Sequence, residues 1–235
     1  MYSDPQAAAP GTALGVAIPV AAGRLQGTLT LPPASRGVVV FAHGSGSSSL
    51  SPRNVYVARI LADAGIATLL FDLLTIGEDS DYANRFDIPL LKARLIAATE
   101  WLARQNVVAG LPLGYFGAST GAAAALVAAA QLGTRVSAVV SRGGRPDMAG
   151  ADALRRVTAP TLLIVGGEDH TVIRLNRDAY AQLGCEKALE IVPGATHLFE
   201  EPGALEAVAA LAVKWFRRGF TKGQDVQRQG GDDQR

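Results

Sequence analysis

The sequence predicts an α/β protein in which helices cover both faces of a mostly parallel sheet. Short apolar runs alternate along the chain with longer segments that have helical spacing. Most of the short runs are almost continuously apolar, which is typical of strands buried on both faces. The segments between them are long enough to be crossover helices, which parallel strands require.

Eight runs have the length and composition of strands. In chain order they are GVAIPV, RLQGTLTL, GVVVFAH, IATLLFDL, LPLGYFGAS, VSAVVSRGG, APTLLIVGGED and KALEIVPG. Only AAG separates the first two, so we expect an antiparallel hairpin at one edge of the sheet. The predicted helices cover residues 52–65, 89–105, 120–132, 172–183 and 203–218.

The length and composition indicate one globular domain with two loose ends. We place a single domain at residues 13–220, because no composition shift or repeat divides a chain of 235 residues. Residues 1–12 are rich in Ala, Pro and Gly, and residues 221–235 are almost entirely polar. Such segments bury too little apolar surface to order themselves, so we expect a flexible amino-terminal tail and a disordered carboxyl-terminal tail.

The charge pattern and the single cysteine exclude several classes of function. Lys and Arg total 22 against 21 Asp and Glu, with no basic stripe, so nucleic acid is not an expected partner. No apolar stretch reaches the ~18 residues of a membrane span, and the first residues lack the pattern of a signal peptide. We therefore expect a cytoplasmic protein without a membrane partner. Cys185 alone forms no disulfide framework and is expected to be a buried or half-buried thiol.

The segment GYFGASTGAAAALVAAA places Ser119 between an apolar run and a run of strong helix formers. Gly117 and Gly121 lie two residues before and after the serine, where a sharp strand-to-helix turn needs clearance. This spacing predicts a nucleophilic serine at the carboxyl end of the sheet, with the amino end of a helix behind it. The alternative is a tight turn in which the serine only caps the helix.

A nucleophilic serine needs a general base, and the chain has three histidines. His197 follows the last predicted strand and precedes the final long helix, so it is the expected base. His43 ends the strand GVVVFAH and His170 follows GGED. We interpret His43 as a residue that braces a loop, and we also keep it among the residues that could contact substrate.

The base in turn needs a carboxylate to orient its ring. Asp169 ends the segment APTLLIVGGED, and we prefer it to Glu168 because the strand-Gly-Gly-x-Asp form projects the second acid. Asp147, after the preceding strand, is the alternative. The order serine, acid, histidine is the one that α/β-hydrolase triads take along the chain. Asp169 could instead only cap the following helix.

The tetrahedral oxyanion of acyl transfer needs two hydrogen-bond donors. One should be the backbone N–H of Thr120, directly after the nucleophile. The other should come from the loop HGSGSSSLSP, whose glycines let the backbone approach the substrate, and Ser45 N–H is the best candidate.

These motifs together resemble the α/β-hydrolase superfamily over residues 15–220. The segments VVVFAHGSGSS, GYFGASTGAAAAL and LLIVGGEDHTV resemble most its dienelactone hydrolase-like branch. The resemblance implies the α/β-hydrolase fold, with eight mostly parallel strands of which the first or second is antiparallel. It also implies Ser119, Asp169 and His197 as the triad, with the N–H groups of Ser45 and Thr120 as the oxyanion hole.

In one respect the chain departs from this branch. Dienelactone hydrolases proper have a cysteine nucleophile, whereas Ser119 occupies the turn here and Cys185 lies near a late helix. A carboxylesterase-like activity on a small-molecule ester is therefore the expected function, with no cofactor and no metal. Only RPDMAGADALRRVTA separates the sixth and seventh strands, so the lid should be small and the site open to small acyl or aryl esters. The sequence leaves the oligomeric state open.

Two other functions compete with ester hydrolysis. The segment from GVVVFAHGSGS to IATLLFDL also resembles a dinucleotide-binding unit, with Gly44 and Gly46 in the turn and Asp72 at the end of the second strand. Ser49 stands at the third glycine position, which argues against this interpretation. The second alternative is a hydrolase fold that binds a ligand without catalysis.

Four further residues are candidates for substrate binding. Arg142 and Arg145 follow the sixth strand and could bind a carboxylate or phosphate bidentately, or pair with Asp147 or Asp81 instead. Tyr82 and Phe86 follow the fourth strand and could line the acyl pocket or pack beneath their loop.

Overall fold

Eight strands form one sheet in the computed structural model, which describes the backbone of residues 11–232 and the side chains up to residue 221. The strands are β1 Thr12–Val20, β2 Gly23–Leu31, β3 Val38–Ala42, β4 Ala67–Phe71, β5 Leu113–Ala118, β6 Val136–Arg142, β7 Thr161–Gly166 and β8 Lys187–Val192. The helices are α1 Pro52–Asp63, α2 Ile76–Asp79, α3 Ile88–Ala103, α4 Thr120–Leu132, α5 Ala151–Arg156, α6 His170–Gln182 and α7 Ala204–Asp232. The predicted eight-stranded α/β-hydrolase fold is confirmed.

The strands lie in the order β1-β2-β4-β3-β5-β6-β7-β8. β2 pairs antiparallel with both β1 and β4, and every later pair is parallel. The predicted edge hairpin is therefore present, with Val20 opposite Gly23 at its turn. Since β2 alone runs against the rest, six consecutive parallel strands bring their carboxyl ends to one edge of the sheet.

Two apolar layers account for the nearly continuous apolar runs of the sequence. Every residue of β3, β4 and β7 is buried, because helices cover both faces of these strands. One layer includes Leu95 of α3 and Leu126 of α4, and the other includes Leu61 of α1 and Phe216 of α7. Among the described residues, no helix combines the length and apolarity that a membrane crossing requires.

The register of the strands places four sequence-predicted loops side by side. Ala118 at the end of β5 is paired with Arg142 at the end of β6, and Gly166 of β7 is paired with Val192 of β8. The loops that follow these strands carry Ser119, Asp169 and His197. They therefore meet at the carboxyl edge of the sheet, where ligand sites of open α/β sheets are found.

The structure differs from the sequence-based element assignments in the connections and at the carboxyl terminus. After β4 the chain forms α2 and a 3₁₀ turn, Tyr82–Phe86, where we expected an irregular loop, because Thr75 and Glu78 make a capping box that closes α2. Helix α5 between β6 and β7 was also missed. The backbone of α7 is helical to Asp232, beyond the predicted end of this helix at residue 218, because a helix that has already been nucleated propagates at low cost. At the other end β1 begins at Thr12, and residues 1–10 lie outside the described residues.

The turn between β5 and α4 depends on two glycines that have no room for a side chain. A Cβ atom on Gly121 would clash with the carbonyl oxygens of Ala42 and His43, and one on Gly117 would clash with the backbone of Ala122. The first turn of α4 therefore packs directly on the backbone of β3 and β5. This close packing confirms the clearance that the sequence pattern predicted.

Substitution of Gly121 by alanine should therefore destabilise the fold. Because the obstacle is backbone rather than a flexible side chain, we expect Gly121→Ala to lower the free energy of unfolding by about 1–3 kcal/mol or more. Gly15→Ala is the matched control, since a Cβ atom there meets nothing within 4 Å. Urea denaturation of both variants measures the difference, and equal stability would contradict the packing described for the turn.

Candidate active site

Ser119 occupies a strained backbone conformation between β5 and α4. Its φ of 49° and ψ of −122° lie in a region that residues other than glycine rarely adopt. Hydrogen bonds hold it there: its N–H donates to the Arg142 carbonyl at 3.3 Å, and its carbonyl accepts from Ala122 at 3.1 Å and Arg145 at 3.0 Å. The strain therefore presents the serine side chain at the carboxyl edge of the sheet.

The hydroxyl of Ser119 does not cap α4. The serine precedes the helix, yet its side chain makes no capping hydrogen bond. Thr120 is the first residue of α4, so its backbone N–H has no acceptor within the helix. A helix capped by its serine, which was the alternative for this motif, is not what the structure contains.

His197 and Asp169 are in direct contact. The Nδ1 atom of the His197 ring lies 2.6 Å from Oδ2 of Asp169. The other carboxylate oxygen, Oδ1, accepts from the N–H of Val172 at 3.4 Å, so Asp169 also caps α6. The contact with the histidine ring and the helix cap, which were considered as alternatives for this residue, thus occur together. Asp147 instead pairs with Arg145, and Glu168 is exposed to solvent.

A cavity of about 230 Å³ connects these groups. Ser119 and His197 both line it, as do Ser45 and Ser47 of the loop after β3. Gly44 brings that loop close, since a Cβ atom on this residue would lie 3.0 Å from the Ser119 Cβ. Ser45, one of the two residues proposed as oxyanion donors, therefore lines the same cavity as Ser119, and the other, Thr120, follows Ser119 directly in the chain.

His43 braces the loop after β3 against the end of β4. Its Nε2 accepts from the backbone N–H of Leu73 at 3.0 Å, so Nδ1 carries the proton and donates to the Gly44 carbonyl at 2.9 Å. Burial lowers the pKa of His43, which keeps the ring neutral as this arrangement requires. Both ring nitrogens are used by backbone groups. His43 therefore has the bracing role and offers no ring nitrogen to a substrate.

Asp72 supports the same loop. Its Oδ1 accepts from the backbone N–H of Ser49 at 2.7 Å. The carboxylate that a dinucleotide-binding unit would turn toward a ribose thus holds the loop Gly44–Ser49 against β4 in this structure.

Arg142 lies at the end of β6 and lines the cavity beside Ser119. Its side chain is 93% buried, and neither Nε nor Nη1 has a hydrogen-bond partner among the described residues. The guanidinium lies 5.9 Å from the ring centroid of Phe199. Burial, with a contribution from the positive charge of Arg53, lowers the pKa of Arg142 to about 10.

Three other candidates for substrate binding do not line this cavity. Arg145 forms a bidentate pair with Asp147, with N···O distances of 2.9 and 2.7 Å. The rings of Tyr82 and Phe86 meet edge to face, with 5.4 Å between centroids, and Tyr82 is 66% exposed. Arg145 thus makes the ion pair considered as its alternative, whereas the two rings, which are exposed, neither line this cavity nor pack beneath their loop.

The sequence pattern gave no indication of Arg53, which also lines the cavity. It is the second residue of α1, and Nη1 donates to Glu200 at 2.9 Å while its buried Nε has no partner among the described residues. One feature of the sequence could have indicated its position. The glycine-serine loop after β3 leads directly into α1, so the first turn of that helix lies at the edge of the cavity.

Comparison with protein families decides the family of the chain. The model of the dienelactone hydrolase family matches residues 25–220, which includes every element from β2 to the first part of α7. The chain belongs to the dienelactone hydrolase family. This membership, together with the sheet order, replaces the alternative of a dinucleotide-binding protein, and it supports a hydrolase.

Individual relatives agree with this assignment. A dienelactone hydrolase of Anabaena variabilis, known from a crystal structure, is 55% identical with a TM-score of 0.85, over 88% of this chain and 97% of that one. The protein Est1E of Butyrivibrio proteoclasticus shares the fold at 17% identity, with a TM-score of 0.76 over 88% and 99% of the two chains.

Two curated relatives from strains of Mycobacterium tuberculosis are each 64% identical over 190 residues. Both are provisionally named phosphoribosyl transferases. The match covers 81% of this chain but 43% of each relative, so the chain spans less than half of their length.

The neutral state of His43 should make stability depend on pH. Since burial holds its pKa below the ordinary value of 6.5, the unfolded chain takes up a proton first as the pH falls through 6.5. Wild type should lose up to about 1.4 kcal/mol per pH unit below that point, until the folded protein also binds the proton. The variant His43→Gln, which cannot take up this proton, should lose less between about pH 7.5 and about pH 5.5.

Urea denaturation at the two pH values measures this difference. His170→Gln is the matched control, because His170 is exposed and should leave the pH dependence unchanged. If wild type and His43→Gln lose stability in parallel, the ring of His43 is not held neutral by burial.

Proposed function

We propose that the protein is a serine hydrolase that cleaves small carboxylic esters through an acyl-enzyme intermediate. The observation that carries this proposal is the cavity shared by Ser119, at its strained turn, and His197, whose ring contacts Asp169 at 2.6 Å. Nucleophile, base and orienting acid are the three parts of a Ser-His-Asp triad. Membership of a hydrolase family supports the same conclusion.

The reaction follows from the position of each group. His197 takes the proton from Ser119 Oγ as that oxygen attacks the ester carbonyl, and Asp169 stabilises the resulting imidazolium. The N–H groups of Ser45 and Thr120 receive the oxyanion. The same imidazolium then protonates the departing alcohol, which leaves the acyl group on Ser119. A water molecule, deprotonated by His197, attacks this acyl-enzyme; the bond to Ser119 Oγ breaks as the imidazolium returns the proton to that oxygen, and the carboxylic acid is released.

The size of the cavity favours small substrates. Its volume of about 230 Å³ is below the 300–1,000 Å³ typical of pockets for drug-sized ligands. The connection between β6 and β7 carries only a 3₁₀ turn, Pro146–Ala149, and the six-residue helix α5, so there is no large lid over the site in this segment. Short acyl and aryl esters therefore fit the proposal better than long lipids.

The names of the relatives limit what is carried to this chain. Transfer of a phosphoribosyl group is not proposed, because the chain corresponds to less than half of the proteins that bear that name.

Cys185 is not the proposed nucleophile. It precedes β8 and its Sγ lies 3.7 Å from Thr161 Oγ1 at the start of β7, which is the edge of the sheet opposite Ser119. Burial also raises the pKa of its thiol.

Hydrolysis of short p-nitrophenyl esters, from acetate upward, tests the proposal. We expect wild type to turn over and Ser119→Ala to lose roughly 10⁴-fold or more in kcat, because the nucleophile is absent while the fold is intact. A fluorophosphonate probe should label Ser119 in wild type, as mass spectrometry of the digested protein would show.

Two variants serve as controls. Ser137→Ala removes a hydroxyl at the opposite end of β6, and Cys185→Ala removes the thiol, and both should keep wild-type rates. Equal rates in wild type and Ser119→Ala would overturn the proposal. No turnover in a folded wild-type protein, with no labelling of Ser119, would favour the alternative of a hydrolase fold that only binds a ligand.

A further inference from the structure

Arg142 is a buried cation that forms no ion pair with any residue whose side chain the structure describes. Its side chain is 93% buried, and its Nε and Nη1 have no hydrogen-bond partner among the described residues. Buried charges in proteins are normally paired and hydrogen-bonded, since a desolvated ion without partners is costly. The nearby aromatic ring of Phe199, at 5.9 Å, offers only a weak cation–π contact. Burial of the Arg142 charge therefore does not stabilise the fold, and its position needs another explanation.

Arg53 approaches the same cavity from a different element. It lies in the first turn of α1, whereas Arg142 ends β6. One nitrogen of Arg53, Nη1, is paired with Glu200, a residue whose side chain is 62% exposed. The buried Nε has no partner among the described residues. The two arginines are close enough for the charge of Arg53 to disfavour the charged form of Arg142.

The donors around this part of the cavity converge from several sides. Arg142, Arg53, Ser45 and Ser47 all line it, and these four residues carry guanidinium or hydroxyl donors. Helix α1 begins at Pro52, so the positive end of its dipole lies at the same rim. Glu200 is the acidic residue paired with this set, and its charge is largely in solvent. The surroundings are thus suited to an anion rather than to a neutral or cationic group.

We propose that Arg142 and Arg53 bind a phosphate group on the substrate, so that the ester cleaved at Ser119 belongs to a phosphorylated molecule. A carboxylate presents two coplanar oxygens, which one guanidinium fork satisfies. A phosphate presents three terminal oxygens and close to two negative charges, which suits two arginines on different elements together with hydroxyl donors.

The phosphate is a recognition group and takes no part in the reaction. It stays intact while Ser119 attacks the ester carbonyl elsewhere in the same molecule. The inference that the cleaved bond is an ester rests on the proposed hydrolysis. The inference that the cavity binds an anion depends only on the two arginines. A cavity of about 230 Å³ requires the phosphate and the ester to be only a few bonds apart.

Calorimetric titration with inorganic phosphate, and with acetate as the carboxylate probe, tests this site at an ionic strength held constant with chloride. We expect wild type to bind phosphate saturably at one site and more tightly than acetate. Arg142→Met should weaken phosphate binding at least about tenfold, because charge-assisted hydrogen bonds are lost. Arg142→Lys keeps the charge without the fork and should lie between the two.

Arg145→Gln is the matched control. Arg145 follows the same strand but is paired with Asp147 outside the cavity, so phosphate binding should stay within about twofold of wild type. Thermal unfolding checks that Arg142→Met is folded, and if it is not, Arg142→Lys carries the comparison. Inorganic phosphate should also inhibit hydrolysis of p-nitrophenyl acetate competitively in wild type and not in Arg142→Met.

The outcomes separate this inference from the proposed function. Equal phosphate binding by wild type and the Arg142 variants, or no binding at all, would overturn the anion site even if ester hydrolysis is found. Tighter binding of acetate than of phosphate would overturn the phosphate assignment. Loss of phosphate binding in Arg142→Met supports the site even if none of the test esters is hydrolysed.

Discussion

The direct packing of α4 on the backbone of β3 and β5 determines where the parts of the site lie. At Gly121 the helix touches the carbonyl oxygens of Ala42 and His43, and at Gly117 the strand touches the backbone of Ala122. Ser119, between these two contacts, has a φ of 49°, a conformation that costs on the order of 1–3 kcal/mol. The burial of α4 offsets that cost, since Ala122, like the three alanines after it, is completely buried. The same contact brings the loop after β3 beside the serine.

Backbone contacts rather than large side chains hold the rest of the site in place. One carboxylate oxygen of Asp169 contacts the ring of His197 and the other accepts from the N–H of Val172, so the acid is fixed by the helix that it caps. The loop that carries Ser45 is tied to the end of β4 by His43 and Asp72. Because burial lowers the pKa of His43 and keeps the ring neutral, this brace adds no positive charge to the loop.

Those features of the fold and the site that have a local cause could be predicted from the sequence. The buried strands appear as continuous apolar runs because both faces are covered, and Ser119 is marked by the clearance that its turn needs. Contacts between distant parts of the chain have no such signature. Arg142 and Arg145 are three residues apart in one segment, yet one is buried in the cavity and the other is paired with Asp147. Arg53 is in sequence an ordinary residue near a helix start, and only the path of the preceding loop brings it to the site.

The charge balance of the site links stability to recognition. Burial and the positive charge of Arg53 both make the charged form of Arg142 less favourable, and together they lower its pKa to about 10. The folded protein therefore retains an unfavourable interaction, as functional sites often do. An anion that contacts both arginines relieves this repulsion, and that relief adds to its affinity. A bound phosphate with close to two negative charges would largely neutralise the two guanidinium groups. Stabilisation of the tetrahedral oxyanion would then rest on the N–H groups of Ser45 and Thr120, so recognition of the substrate and stabilisation of the transition state are assigned to different parts of one cavity.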